Sequence, residues 1–242
     1  IMLPQVETRV VRQSAGDVKE ARLVTAQIAQ TTLFMLTMLL AGMVLSNLVE
    51  EKSNKIIEIL AASIPMDSVF LGKLFAMLAM AFVGIVVWGS AGALVLNVWG
   101  PGLPNLPAPA IGWPVFIGLG IIYFALAYLM LGSLFLGIGA MAATVREVQT
   151  LSMPATMGQL MVFFLAMYSV TKMGQPIELF AAIFPLSSPF AMIARAAQVP
   201  VVWHHLVAIL WQAGFAILIL RVGVFLFKRH VMKSGRAGRA AD

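Results

Sequence analysis

Glu50, Glu51, Lys52, Asn54, Lys55 and Glu58 crowd one short stretch of the sequence. Carboxylates, ammonium groups and an amide at this spacing suit polar recognition of another polypeptide rather than a reaction. On a helix, Glu51 and Lys55 form a favourable i,i+4 pair. Glu51, Asn54, Lys55 and Glu58 share one face, while Ile56, Ile59, Leu60 and Ile64 share the other with Ile57 beside them. Two readings fit that amphipathic pattern. One is a helix that anchors at a membrane interface; the other is a docking helix for a soluble partner. Pro65 is expected to end it, and Asp67 to cap the helix that follows.

The remaining reactive residues do not assemble into a catalytic set. The chain has no cysteine, which excludes disulfides, thiolate metal sites and a Cys nucleophile. No Ser/His/Asp arrangement or carboxylate pair is recognisable. Gly72-Lys73 invites a phosphate-loop reading, but Asp67 and Leu74 stand where that motif needs Gly and Ser/Thr. Lys73 is instead expected to snorkel to the membrane edge, and the chain to hold no ATP site of its own. His204 and His205 are adjacent, and neighbours on a helix diverge by about 100°, a poor geometry for sharing a metal; interfacial histidines are expected. The 16 methionines are scattered through apolar runs and read as packing filler. No metal site and no bound cofactor are expected.

The elements that position these residues follow from composition. Of 242 residues, 61% are hydrophobic and 11% charged, and the mean hydropathy is +0.95. A soluble domain carries about 25% charged residues, so this chain needs lipid as its solvent. A net charge of +6 could suggest nucleic acid, but the cations sit mostly at the ends of apolar runs, which is a topology signal. Five helical spans are expected, at about 23–49, 69–98, 113–143, 151–171 and 207–227, since about 20 apolar residues cross a bilayer and backbone in lipid must satisfy itself. Residues 144–149 read as a tight charged turn. Trp99 and Trp113 flank an uncharged Pro/Gly loop as interfacial anchors. Residues 172–206 read as two short helices broken at Pro185–Pro189, re-entrant or interfacial.

Inside the spans, Gln30, Thr31, Gln159 and Gln212 are candidates for a translocation path or for hydrogen bonds between helices. Within Gly132–Ala143, Gly137 with Ser133 and Gly139 with Ala143 have the small-xxx-small spacing that lets helices approach closely. No span centre holds Asp or Glu, which argues against a proton-coupled carrier. Lys52, Lys55, Lys73, Arg146, Lys228, Arg229, Lys233, Arg236 and Arg239 collect on one side, which should be cytoplasmic. Arg9, Arg12, Lys19, Arg22, Lys172 and Arg195 collect on the other. The first residue is Ile1, and a fragment or processed product is expected.

Leu48 to Leu74 resembles the signature stretch of type-2 permeases of the ATP-binding-cassette superfamily, and is most similar to the sodium-efflux (NatB-like) branch. Glu50, Glu51, Lys52, Asn54, Glu58, Ile59, Leu60, Pro65, Leu71, Gly72 and Lys73 carry the resemblance. It implies an all-α, polytopic membrane helix bundle with a cytoplasmic coupling helix and an outer re-entrant hairpin. Members have a further span upstream, followed by a large extracytoplasmic domain. Residues 1–22 would end that domain, residues 23–230 would form the permease and residues 231–242 a basic cytoplasmic tail. The implied activity is export from the cytoplasm by alternating access in the cell (inner) membrane. The chain would work as a homo- or heterodimer of permeases and would not itself be an enzyme. ATP-Mg would be bound by a separate cytoplasmic ATPase, docked on residues 50–64 through Glu50, Glu51, Lys52, Asn54, Lys55 and Glu58. The competing expectations are a non-transporting scaffold that recruits a cytoplasmic partner and an ion-coupled secondary carrier. Sodium, a lipid and a drug are all compatible as cargo; nucleic acid is not an expected partner.

Overall fold

The structure, a computed structural model, describes residues 15–53, 65–99, 108–142 and 144–239. Seven helices order the chain: α1 (Ala15–Ser53), α2 (Met66–Trp99), α3 (Trp113–Met141), α4 (Val145–Ser169), α5 (Pro176–Ile183), α6 (Ser188–Gln198) and α7 (Trp203–Arg239). No strand occurs among the described residues. Five helices are long and apolar enough to cross a membrane, over Gly16–Asn47, Asp67–Trp99, Trp113–Met141, Arg146–Ser169 and Trp203–Arg229. The architecture is an all-α bundle of the multi-pass membrane kind.

Its helices are apolar on both faces, and this is what separates it from a water-soluble bundle. On α1 the inner face is Ala26, Gln30, Leu33, Phe34, Thr37, Ala41 and Val44, all buried at three- and four-residue steps. The opposite face exposes Ile28, Met35, Leu39 and Met43, which in water would be an aggregation surface and in lipid is solvation. Phe34 stacks on Phe163 of α4 at 4.0 Å and meets Phe190 of α6 edge-on. Three elements are thereby knitted around one aromatic cluster.

Helix α3 lies at the centre, packed on α1 and α7, with Tyr123 and Tyr128 fully buried. Its seam with α7 is set by small residues. A Cβ at Gly137 would lie 3.7 Å from the Cα of Gly223. A Cβ at Gly223 would stand 2.9 Å from Phe70 Cζ and 3.2 Å from the carbonyl oxygen of Ser133. Phe70 has little room to yield, being fully buried and packed edge-on against Phe227.

The paired short helices have a local cause. Pro185 has no N–H to return to the carbonyl of Ala181. The hydroxyl of Ser187 donates to that carbonyl at 2.7 Å, and Ser188 Oγ donates to Ala182 at 2.6 Å. Two serines thus close the end of α5 while the chain turns into α6, where Pro189 occupies a first-turn position that needs no donor. The hairpin is fastened to α7 by Trp211 Nε1 donating to the Ile183 carbonyl at 2.8 Å and by Gln212 Nε2 donating to Ser188 Oγ at 2.7 Å.

Several helix ends differ from the sequence expectation. Helix α4 starts at Val145 rather than 151, so residues 145–149 are helical and not a turn. The cause is a cap: Thr144 Oγ1 accepts the N–H of Glu147 at 3.3 Å. The Thr-x-x-Glu spacing of Thr144 and Glu147 carried that signal. Helix α1 begins at Ala15 rather than 23, and α7 runs from Trp203 to Arg239 rather than 207–227. A hydropathy window stops where charge begins, whereas a hydrogen-bonded backbone continues through it. Asp67 is not a cap either. The Pro65 carbonyl accepts from Ser68 N at 2.9 Å and Val69 N at 3.2 Å, which leaves Asp67 in the first turn of α2.

Two outcomes follow. Gly223→Ala should force α7 off α3 and cost about 1–3 kcal/mol, read as a lower thermal midpoint in detergent, while Gly214→Ala, with no atom within 4 Å of the added carbon, should leave it unchanged or slightly raised. Ser187→Ala should orphan the Ala181 carbonyl and cost about 1–3 kcal/mol, read as earlier proteolysis within residues 176–198.

Candidate functional site

The charged stretch read from the sequence begins in the last turn of α1. Glu50 is exposed there. Glu51 is ion-paired within the bundle, its Oε2 lying 2.5 Å from Lys73 Nζ. The lysine is the more enclosed partner, with its side chain 13% exposed against 33% for the glutamate. Lys73, expected to snorkel to the membrane edge, finds a carboxylate on the neighbouring helix. Four residues earlier on α1, Asn47 Nδ2 approaches Met77 Sδ, four residues later on α2, at 3.9 Å. The matched steps in opposite directions mark an antiparallel pair, and they place Glu51 opposite Lys73 by register.

A second ion pair joins the same end of α2 to α7. Lys228 Nζ lies 2.5 Å from Asp67 Oδ2, both side chains being well exposed. The start of α2 is therefore held on one side by α1 and on the other by α7, immediately after residues 54–64. Asn54, Lys55 and Glu58 lie outside the described residues, as does the side chain of Lys52. Of the six residues singled out in the sequence, Glu50 and Glu51 are placed. The partners Lys73, Asp67 and Lys228 were not recognised as such, since their spacings of 22 and 161 residues become adjacency only through helix pairing.

The intramembrane candidates do not converge on one cavity. Gln30 is fully buried, and neither amide atom has a hydrogen-bond partner among the described residues. Gln212 is fully buried and spends its N–H on Ser188, which fixes the hairpin. Gln159 is buried and Thr31 half-buried. Gly137 faces α7 at the seam, and Gly139 is buried one step further along α3. A cavity of about 370 Å³ opens between α1, α2 and α3, walled by apolar groups such as Ile28, Leu36, Phe116 and Ile121. Gln30, Thr31, Gln159 and Gln212 are all absent from its lining.

The two histidines point apart, as their adjacency requires. His205 is not interfacial: it is fully buried, with Nδ1 2.9 Å from Tyr123 Oη. His204 lies over Trp203, ring centroids 4.0 Å apart. Among the described residues no three His, Cys, Asp or Glu side chains cluster to hold a metal. Sequence reasoning missed the ion pair between Arg195 and the buried Glu178. The 17-residue separation crosses the hairpin turn, so the pairing was readable only once α5 and α6 were known to fold back on each other.

Comparison with known proteins places these features in a family. An uncharacterized protein of Methanocaldococcus jannaschii is 26% identical over 211 residues, which are 82% of this chain and 49% of that protein. The chain thus spans about half the length of the curated relative it matches. No solved structure matches it. Residues 11–226 match the family described as ABC-2 family transporter protein. With nearly the whole membrane bundle inside that match, the chain belongs to the ABC-2 transporter family.

Proposed function

We propose that this chain is the membrane permease of an ATP-binding-cassette exporter, moving cargo out of the cytoplasm by alternating access. The match of residues 11–226 to the ABC-2 transporter family carries the reading. The energy source is a separate cytoplasmic ATPase that binds ATP-Mg and docks on residues 50–64. Glu50 supports this as an exposed carboxylate at the end of α1, next to that segment. The permease pairs with a second permease, identical or not, in the cell (inner) membrane.

The role of Glu51 is refined by its ion pair. Bonded to Lys73, it sets the angle between α1 and α2 on either side of the docking segment, and Glu50 meets the partner. Asp67 and Lys228 hold α2 to α7 at the same level. Movement of the segment is thereby passed to three spans rather than one. For cargo, the resemblance of residues 48–74 to the sodium-efflux branch favours sodium. The 370 Å³ apolar cavity between α1, α2 and α3 favours a second reading, an apolar or amphiphilic cargo, because a sodium path needs oxygen ligands.

Affinity purification of the tagged protein in mild detergent should recover an ATPase of the ATP-binding-cassette type. Glu50→Lys should lower that recovery about tenfold, the worth of one charge-assisted hydrogen bond. Glu51→Lys should lower it too, and the exchange Glu51→Lys/Lys73→Glu should restore it by rebuilding the pair. No ATPase with the unaltered chain would move the assignment to a scaffold or an ion-coupled carrier.

A further inference from the structure

A second cavity, of about 420 Å³, lies between the α5–α6 hairpin and the start of α7. We propose that it is a phospholipid site, in which Arg195 and His204 hold the phosphate while Leu179, Ile183, Val207 and Trp211 flank an acyl chain. This inference rests on the membrane location of the bundle and not on the ATPase reading.

The cavity has two chemically distinct ends. Leu179, Ile183, Val207 and Trp211 are each half-exposed or more, so one wall is open to the hydrocarbon. Trp211 is held in place by its bond to the Ile183 carbonyl, which makes this wall preformed. At the other end are Arg195, in the last turn of α6, and His204, in the first turn of α7. Trp203 lines the same end; an indole at a span terminus marks headgroup depth. At that depth the planar guanidinium of Arg195 suits a lipid phosphate, which it can bond bidentately.

The charge is directed into the cavity. Arg195 bonds Glu178 through Nη1, but Glu178 does not line the cavity, and its side chain is 4% exposed against 20% for the arginine. The carboxylate orients the guanidinium from behind, and the remaining N–H groups of the fork can face an anion. His204 lines the same end of the cavity, where its imidazole can present a ring N–H to a phosphate oxygen. No acidic side chain lines the cavity. A free phosphate could use the donors but would leave the apolar wall empty, whereas a phospholipid uses both.

Native mass spectrometry of the purified chain in detergent, incubated with dioleoyl phosphatidylglycerol or with dioleoylglycerol, tests the site. The phospholipid should be retained at least about tenfold more tightly, the difference one charge-assisted hydrogen bond makes. Glu178→Gln/Arg195→Gln replaces the buried pair with two neutral amides and should remove that preference while leaving dioleoylglycerol retention unchanged. Val207→Trp fills the open wall at an exposed position and should displace both lipids at an unchanged thermal midpoint. Equal retention of the two lipids by the unaltered chain, or an undiminished preference in the double variant, would overturn the proposal. Inorganic phosphate alone retained as tightly as the phospholipid would overturn it as well, by assigning the donors to a free anion.

Discussion

The close approach of α7 to α3 is the constraint on which the rest of the bundle depends. At Gly137 and Gly223 the two helices touch backbone to backbone, and Phe70 of α2 fills the space that a side chain at 223 would take. Three helices therefore meet at one glycine. With that contact fixed, α7 acts as a rod. His205, Trp211 and Gln212 face α3 and the hairpin at one end; Phe227 and Lys228 face α2 at the other. The rise from residue 205 to residue 228 is roughly 35 Å, against a hydrocarbon core of about 30 Å. A single element thus links the hairpin to the end of α2 that follows residues 54–64.

Polar groups are distributed as a lipid solvent demands. Between helices, association gains little from hiding apolar surface, because hydrocarbon lies outside as well as in. Specificity has to come from close-fitting small residues and from paired polar groups. The ion pairs sit toward the helix ends: Glu51 with Lys73 and Asp67 with Lys228 at one end, Glu178 with Arg195 at the other. Their energies differ by environment. The Asp67–Lys228 pair is open to solvent and is worth at most about 1 kcal/mol, so its value is in register. The Glu178–Arg195 pair is enclosed, and removing one partner would cost about 3–5 kcal/mol. The hairpin end is accordingly the stiffer of the two, and the Glu51 end the one more easily rearranged.

Much of this was legible in the sequence, for identifiable reasons. Long apolar runs leave the backbone one option in lipid, so the five long helices could be read from composition. The broken hairpin could be read from Pro185 and Pro189, because proline's effect is local. The membership of the chain in the ABC-2 family was signalled by residues 48–74. What could not be read were contacts made by register. Lys73 looked like a lone lysine at a span's end, and its partner became visible only when Asn47–Met77 and Glu51–Lys73 fell into antiparallel step. Arg195 was read as one of the outer-side cations and is half of an enclosed pair. His205 looked interfacial, since nothing in its neighbourhood announces Tyr123, 82 residues away. Thr144 was a different kind of miss: the capping pattern was present and was outweighed by the charge of Arg146 and Glu147.

The central claim is that events at residues 50–64 reach the bundle through the start of α2. The chain has no cysteine, so spin labels can be placed at Ser68 and Arg146, both exposed, without altering other sites. The distance between them would be measured by pulsed electron resonance in the complex with the proposed ATPase, before and after trapping with ATP and vanadate. The account predicts a shift in that distance, and its loss when Glu51 is reversed to Lys. A distance that stays fixed while the ATPase turns over would contradict it.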